Sequence, residues 1–317
     1  MALYLKEEEV GSVLDMPMAL DAVEGVMAAH GRGETIDYPR QRVRLPESIT
    51  HLLQGAVPSA GFTGFKVYTS AGGRTRFWVH LFDAVSGDPV AVLEADRLGM
   101  MRTGAAGGVA TRWLARRDAR VAGVFGAGWQ AQGQILALCL VRPIERVKVF
   151  ARNPDKLAAF CAQMSAATGR EIVQAASAEE AVRGSDVLVT ITTSPKPLFD
   201  AQWLAPGMHI TAAGSNSLAR QELPEEAVRC ADVICVDARE IAQREAGDLM
   251  PLLEKGRTQP GRWVELGEVV AGIRPGRTGE AQITLFESQG MAIQDIAVAA
   301  RVLARAQERG LGTALPY

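Results

Sequence analysis

The feature that most constrains this chain is a glycine-rich turn near its middle. Val121-Ala-Gly-Val-Phe-Gly126-Ala-Gly128-Trp-Gln-Ala131 fits the pattern G-x-G-x-x-A. It follows a short apolar run at 121–125 and opens a stretch of helical spacing at 130–140. Strand, tight turn and helix together form the setting in which this pattern cradles a dinucleotide pyrophosphate. Gly126 serves the turn, Gly128 lets the backbone approach the phosphates, and Ala131 allows close helix–strand packing. The amides of Trp129 and Gln130, at the helix start, have no intrahelical acceptor and are expected to meet the anion.

The alternation continues for about a hundred residues. Strand-like runs at 146–150, 172–175, 186–192, 208–213 and 232–236 are interleaved with helical patterns at 154–168 and 178–182. The run Asp186-Val-Leu-Val-Thr-Ile-Thr192 lacks polar alternation, as a parallel strand buried on both faces does. Repeated strand–helix–strand units imply an α/β fold, a doubly wound parallel sheet of Rossmann type. Thr192, Thr193 and Ser194 follow one such strand, where ligands bind in these sheets. Gly214, Ser215 and Asn216 follow the next strand, in the equivalent place.

The flanks read differently. Residues 1–30 have helical patterns. Residues 40–95 give strands at 42–45, 64–69, 77–82 and 89–93, separated by glycine turns, as in an antiparallel sheet. A strand at 281–286 precedes a long amphipathic helix at 291–308. With 317 residues, two domains are expected. The doubly wound domain, 116–289, is expected to be inserted into a smaller α+β substrate-binding and dimerisation domain, 1–115 with 290–317.

The strand after the glycine turn ends Val149-Phe-Ala151-Arg152-Asn153-Pro-Asp-Lys156. NAD-preferring sites usually place a carboxylate there to hold the ribose hydroxyls. Here Ala151 and Arg152 stand instead. NADP(H) is therefore expected, with Arg152, Asn153 and Lys156 around the 2′-phosphate, while NAD(H) is still possible.

Composition excludes several classes. Lys plus Arg is 34 and Asp plus Glu is 36, a net charge of −2. That is not the basic excess of a nucleic-acid binder, and no polybasic membrane patch stands out. No run approaches the ~20 uninterrupted apolar residues of a membrane span. Cys139, Cys161, Cys230 and Cys235 form no C-x-x-C pair and lie near no histidine cluster, so no metal site is expected. The opening Met1-Ala-Leu-Tyr-Leu-Lys6-Glu7-Glu8-Glu9 turns acidic at once, without the basic start and apolar run of a secretory leader. A cytoplasmic location is expected.

Against that neutral mean, three cationic features precede the nucleotide domain. Pro39-Arg40-Gln-Arg42-Val-Arg44 places alternate arginines on one strand face. Gly64-Phe-Lys66-Val sets a lysine among apolar neighbours, which is costly unless it is paired. Arg102 begins a small-residue helix, Arg102-Thr-Gly-Ala-Ala106. Arginine suits bidentate carboxylate binding. Together these residues predict a site for a small carboxylate beside the nicotinamide. Contacts to the substrate side chain are expected from residues 50–80, among them His51, Gln54 and Trp78, with no ranking.

These stretches, with Leu81-Phe-Asp83, Gly87, Gly184-Ser-Asp186, Leu266-Gly-Glu268, Phe286-Glu-Ser288-Gln-Gly290 and Asp295, resemble the ornithine cyclodeaminase/mu-crystallin family over nearly the whole chain. The resemblance implies a homodimer joined through the first domain and a nicotinamide cofactor in the second. It implies a carboxylate clamp from Arg40 or Arg42, Lys66 and Arg102. Arg102, Thr75, Arg76 and Ser288 are further cofactor-side candidates, and Asp295 falls near the site.

One position departs from the family. Cyclodeaminases carry an aspartate where this chain has Asn216, and an amide cannot accept a substrate ammonium proton. An NAD(P)H-dependent reductase of a small α-imino acid, or the reverse amino-acid dehydrogenase, is favoured. The catalytic candidates are Lys66, Arg40, Arg42, Arg102 and Asn216. Two readings compete with it: an ammonia lyase using NAD catalytically, and a cofactor-binding protein without catalysis.

Overall fold

The structure, a computed structural model, describes residues 2–316. In chain order its elements are β1 (Leu3–Leu5), α1 (Glu7–Val13), α2 (Met16–Gly31), β2 (Ile36–Asp37), β3 (Gln41–Arg44), β4 (Ser48–Val57), β5 (Phe62–Ala71), β6 (Arg74–Asp83), β7 (Pro89–Glu94) and α3 (Asp96–Leu114). There follow β8 (Val121–Phe125), α4 (Trp129–Val141), β9 (Arg146–Phe150), α5 (Pro154–Thr168), β10 (Glu171–Gln174), α6 (Ala178–Val182), β11 (Val187–Thr190) and β12 (His209–Ala212). The remainder is α7 (Glu225–Cys230), β13 (Val233–Val236), α8 (Arg239–Glu245), α9 (Met250–Glu254), β14 (Val264–Glu265), α10 (Leu266–Val270), β15 (Thr284–Glu287), α11 (Ala292–Glu308) and β16 (Thr313–Ala314).

The chain divides into two units, Met1–Arg102 with Met291–Tyr317, and Thr103–Gly290. The first boundary therefore falls inside α3, where the sequence had suggested residue 115.

In the first unit the strands run in the order β16-β1-β7-β6-β5-β4-β2, with β3 also paired to β4. Pairing is antiparallel from β4 to β7, while β1 joins β7 in parallel. Leu53, Val79, Leu81 and Leu93 share one face and are buried. Helix α11 covers that face closely: a Cβ on Gly55 would lie 3.2 Å from Ile293, and one on Gly64 3.5 Å from Ile296.

Besides the two-residue strands β2, β14 and β16, the strands β1 and β4 depart from the sequence expectation. β1 lies in a stretch read as helical, too short to show a period. β4 went unread because its alternation is masked. His51 and Gly55 occupy its inward positions, and Leu52 faces outward.

The second unit is a parallel sheet in the order β10-β9-β8-β11-β12-β15-β13-β14. Val124, Val149, Val187 and Val189 pack into one apolar layer with Ile135, Leu138 and Phe160. Leu188, Ile210 and Leu285 pack into another with Leu223, Val228 and Trp263. Two covered faces explain the unbroken apolar runs, as doubly wound sheets require. The strand order reverses between β8 and β11, the switch point at whose carboxyl ends such sheets bind ligands. Local signals set the helices here. Asn153 caps α5 by accepting the Lys156 amide, Pro154 occupies its first turn, and Ser177 caps α6.

Candidate active site

The glycine turn has the geometry the motif requires. Gly126 has φ +114°, and a Cβ there would lie 2.5 Å from the Ile191 carbonyl oxygen, so no other residue fits. Gly128 is the N-cap of α4, and a Cβ there would meet no protein atom within 4 Å. That open space lies over the first turn of α4, where the amides of Trp129 and Gln130 stand free of intrahelical acceptors. It fits a pyrophosphate. Ala131 is fully buried behind it. Beyond β9, Ala151 is half-buried while Arg152, Asn153 and Lys156 are exposed. The Asn153 side chain is already engaged as the cap of α5.

The loops after β11 and β12 are tied together by Glu222, a residue that carries no signal in the sequence. Its Oε1 accepts the Thr192 amide (2.7 Å) and hydroxyl (2.6 Å), and its Oε2 accepts the Gly214 amide (2.9 Å). The Thr192 hydroxyl also accepts the Ser194 amide, so its proton is committed to Glu222 and one of its lone pairs to Ser194. Thr193 is exposed. Ser215 is buried and donates to the Ser217 carbonyl, while Asn216 is half-buried in the same turn. Ser288 donates to Asp237, whose carboxylate also accepts the Gln289 and Gly290 amides.

The first unit holds the cations. Lys66, on β5 between Leu53 and Val79, is buried, and its Nζ lies 3.0 Å from Asp295 Oδ1. Arg102 Nε lies 3.0 Å from the same oxygen, and Arg102 also donates to Gln294. Asp295 Oδ2 is buried with no hydrogen-bond partner. Burial pulls the Lys66 ammonium down to about 8; Asp295 opposes this, and the charges of Arg102 and Arg40 reinforce it. Its Nζ sits 5.4 Å from the Phe77 ring centre, and a Cβ on Gly99 would lie 2.9 Å from it.

Arg40 is buried, Arg42 half-buried opposite His51, and Arg44 exposed. Thr75 and Arg76 lie at the exposed end of the β5–β6 hairpin, where Thr75 pairs with Ser70.

Asp295 was visible only as a residue near the site by resemblance, yet it is the shared acceptor of both cations. A stronger signal was available. An aspartate that shares a helix face with Ala292, Val298 and Ala299 needs a buried partner, and Lys66 needs one too. Strand pleating also ranks the side-chain candidates. His51 shares the Lys66 face and stacks on Tyr68 (4.2 Å between ring centres), whereas Gln54 and Trp78 register with Phe65 and Val67 on the other face. His51 is held neutral, at about 4, by burial and by Arg40, Arg42 and Arg44.

Among the described residues no group of His, Cys, Asp and Glu could hold a metal ion, and no helix is long and apolar enough to cross a membrane.

The profile of the ornithine cyclodeaminase/mu-crystallin family matches residues 2–310. Delta(1)-pyrroline-2-carboxylate reductase of Bacillus cereus is 37% identical over 240 residues, 75% of this chain and 74% of the relative. The structure of Thermococcus litoralis Delta(1)-pyrroline-2-carboxylate reductase, in complex with NADH and L-proline, superposes with a TM-score of 0.94 at 32% identity. It covers 99% of this chain and 100% of that one. An archaeal alanine dehydrogenase dimer with bound NAD superposes with a TM-score of 0.93 at 33% identity, over 100% and 99% of the two chains.

Proposed function

The chain belongs to the ornithine cyclodeaminase/mu-crystallin family, and from that membership we propose that it is an NAD(P)H-dependent reductase of a small α-imino acid. Run in reverse, it is an amino-acid dehydrogenase. The observation that carries the reading is the buried cluster of Lys66, Arg102 and Asp295.

Reducing an imine needs a hydride at carbon and a proton at nitrogen. When bound, the reduced nicotinamide supplies the hydride. The protein's own residues do the rest. Arg102 and Arg40 hold the substrate carboxylate, and fixing it orients the imine carbon, from which most of the rate would come. Lys66, with its ammonium pulled down to about 8, gives a proton to the imine nitrogen near neutral pH and recovers it in the reverse direction. Asp295 holds the Lys66 and Arg102 heads in place. Asn216 and Ser215 orient the substrate nitrogen or the ribose by hydrogen bonds.

The cofactor cradle is Gly126, Gly128, Trp129 and Gln130, with Thr193, Gly214, Ser215 and Ser288 on the far side. We place NADP(H) ahead of NAD(H) because Ala151 and exposed Arg152 stand where a ribose-binding carboxylate would, although the similar structures were solved with NADH and NAD. A homodimer is supported by the dimeric archaeal relative. Four free thiols fit the reducing cytoplasm.

The lyase reading is disfavoured by Asn216, and the non-catalytic reading by the intact cation cluster. The test is oxidation of NADPH and NADH with a panel of cyclic imino carboxylates, iminosuccinate and keto acids plus ammonia. Turnover with an imino acid is expected. Ammonia release from ornithine without cofactor oxidation would favour the lyase, and tight cofactor binding with no turnover would favour the binding protein.

A further inference from the structure

Glu222 is fully buried, yet the groups that hydrogen-bond its carboxylate are amides and a hydroxyl, not cations. A buried carboxylate that pairs with no cation is costly, here the more so because the Asp248 carboxylate stands nearby, and it persists when enough donors surround it. Here the donors come from the ends of two adjacent strands: the Thr192 amide and hydroxyl beyond β11, and the Gly214 amide beyond β12. The carboxylate is itself aimed from behind. Asp248 Oδ1 accepts the amides of Glu222 (2.6 Å) and Leu223 (2.7 Å), and the Glu222 carbonyl accepts the Leu198 amide. Space at this point is specific as well. A Cβ on Gly214 would lie 2.4 Å from both Glu222 Oε2 and the Thr192 amide nitrogen.

Three chain segments thus converge on one side chain at the carboxyl edge of the parallel sheet, beside the switch point between β8 and β11. We propose that Glu222 is a positioning residue for the dinucleotide: it never touches the cofactor, but it holds the loops that carry Thr193 and Ser215 in their cofactor-binding shape. By taking the inward donors of both loops into one carboxylate, it makes them move as one piece. The cofactor then meets a surface already ordered and does not have to order it on binding. This rests on the reading that the loops after β11 and β12 hold the dinucleotide.

The test compares wild-type protein with Glu222→Gln and Glu222→Ala, and it does not rely on turnover alone. Cofactor Kd is measured for NADPH and NADH by fluorescence titration. Amide exchange at Thr192 and Gly214 is followed in the cofactor-free protein, with circular dichroism as the check on folding. Glu222→Gln keeps the side-chain size but turns an amide donor toward a backbone donor. Cofactor Kd is expected to rise tenfold or more, exchange at both amides to quicken about tenfold, and KM for the imino acid at saturating cofactor to stay within twofold.

A merely structural role would lower thermal stability but leave the Kd of the folded fraction unchanged, and that outcome overturns the proposal. If Glu222→Ala fails to fold, Thr192→Val decides. It removes one of the three donors and should weaken cofactor binding about threefold; unchanged binding overturns the proposal. Wild-type protein that binds neither cofactor would overturn the cofactor reading itself, a different and separable failure.

Discussion

Lys66 and Asp295 stand 229 positions apart in the chain and 3.0 Å apart in space. The carboxylate opposes the fall of the lysine ammonium toward neutral pH, where burial and two arginines drive it. This gives the proposed proton donor a sign and a window. A group that must be protonated to reduce an imine loses its effect as pH rises through its own pKa. kcat/KM for reduction should therefore fall above about pH 8, and the reverse oxidation should rise through the same point. Asp295→Asn removes the charge that holds the value up, so both limbs should move to lower pH, and turnover should drop roughly a hundredfold, or about 2.7 kcal/mol. Unshifted pH–rate profiles in the variant would remove Lys66 from the proton step.

Gly99 offers a second test of the same lysine. Alanine there would place a methyl group 2.9 Å from Lys66 Nζ, and the flexible ammonium must give way. Within helix α3 alanine is also the better helix former by about 1 kcal/mol. Gly99→Ala should raise or preserve the melting temperature while lowering kcat about tenfold or more. Loss of stability together with activity would instead mean a packing defect.

The cofactor preference is tested at Arg152. Arg152→Ala should lower kcat/KM for NADPH by about tenfold, the loss of one charge-assisted contact to a phosphate. The value for NADH should change less than twofold. Equal losses with both cofactors would show that Arg152 does not read the 2′-phosphate.

Stability should depend on pH through the carboxylates of the second unit. Burial, and the nearby Glu222, raise Asp248 to about 7, and burial holds Glu287 well above the ordinary glutamate range, helped by Asp248, Glu222 and Asp237. An acid whose folded pKa is raised binds its proton more tightly when folded. It costs nothing below its unfolded pKa and destabilises progressively as pH climbs toward the folded value. For Asp248 that window runs from about 4 to about 7. Glu287 Oε1 has no hydrogen-bond partner, while Oε2 accepts from Gln289. Glu287→Gln should leave the melting temperature unchanged near pH 4 and raise it by a few degrees at pH 8, about 1–4 kcal/mol of relief. Parallel melting curves across pH would contradict this.

The doubly wound sheet was legible because its signals are local. Two buried faces write themselves as unbroken apolar runs, Gly126 sits at a positive φ that admits little else, and Gly128, extended and in open space, is legible from the motif alone. Lys66 is legible as a misfit, a cation among apolar neighbours, Arg40 as one of the alternate arginines on a strand, and Arg102 as a cation in a small-residue helix. What completes them is not. Asp295 acts through cations 193 and 229 positions away and Glu222 through loops 8 and 30 positions back, and a single carboxylate does not reveal whether it caps a helix, neutralises a cation or gathers loop amides. β4 was hidden for a related reason, since His51 and Gly55 take inward positions that a strand would normally give to apolar residues.

The sharing of one Asp295 oxygen by Lys66 and Arg102 also makes this part of the protein a selector of ions. With both cations charged, their pairing with a single carboxylate leaves a surplus of one positive charge in a low-dielectric setting. One incoming carboxylate brings the trio to neutrality, so small monocarboxylates should compete with substrate whatever their shape, and added salt should weaken both. An amino acid zwitterion is neutral overall and leaves the surplus of one in place, and a second ammonium group raises it to two. The same arithmetic favours a carboxylate with an uncharged imine over a diamino acid before any side-chain contact is made.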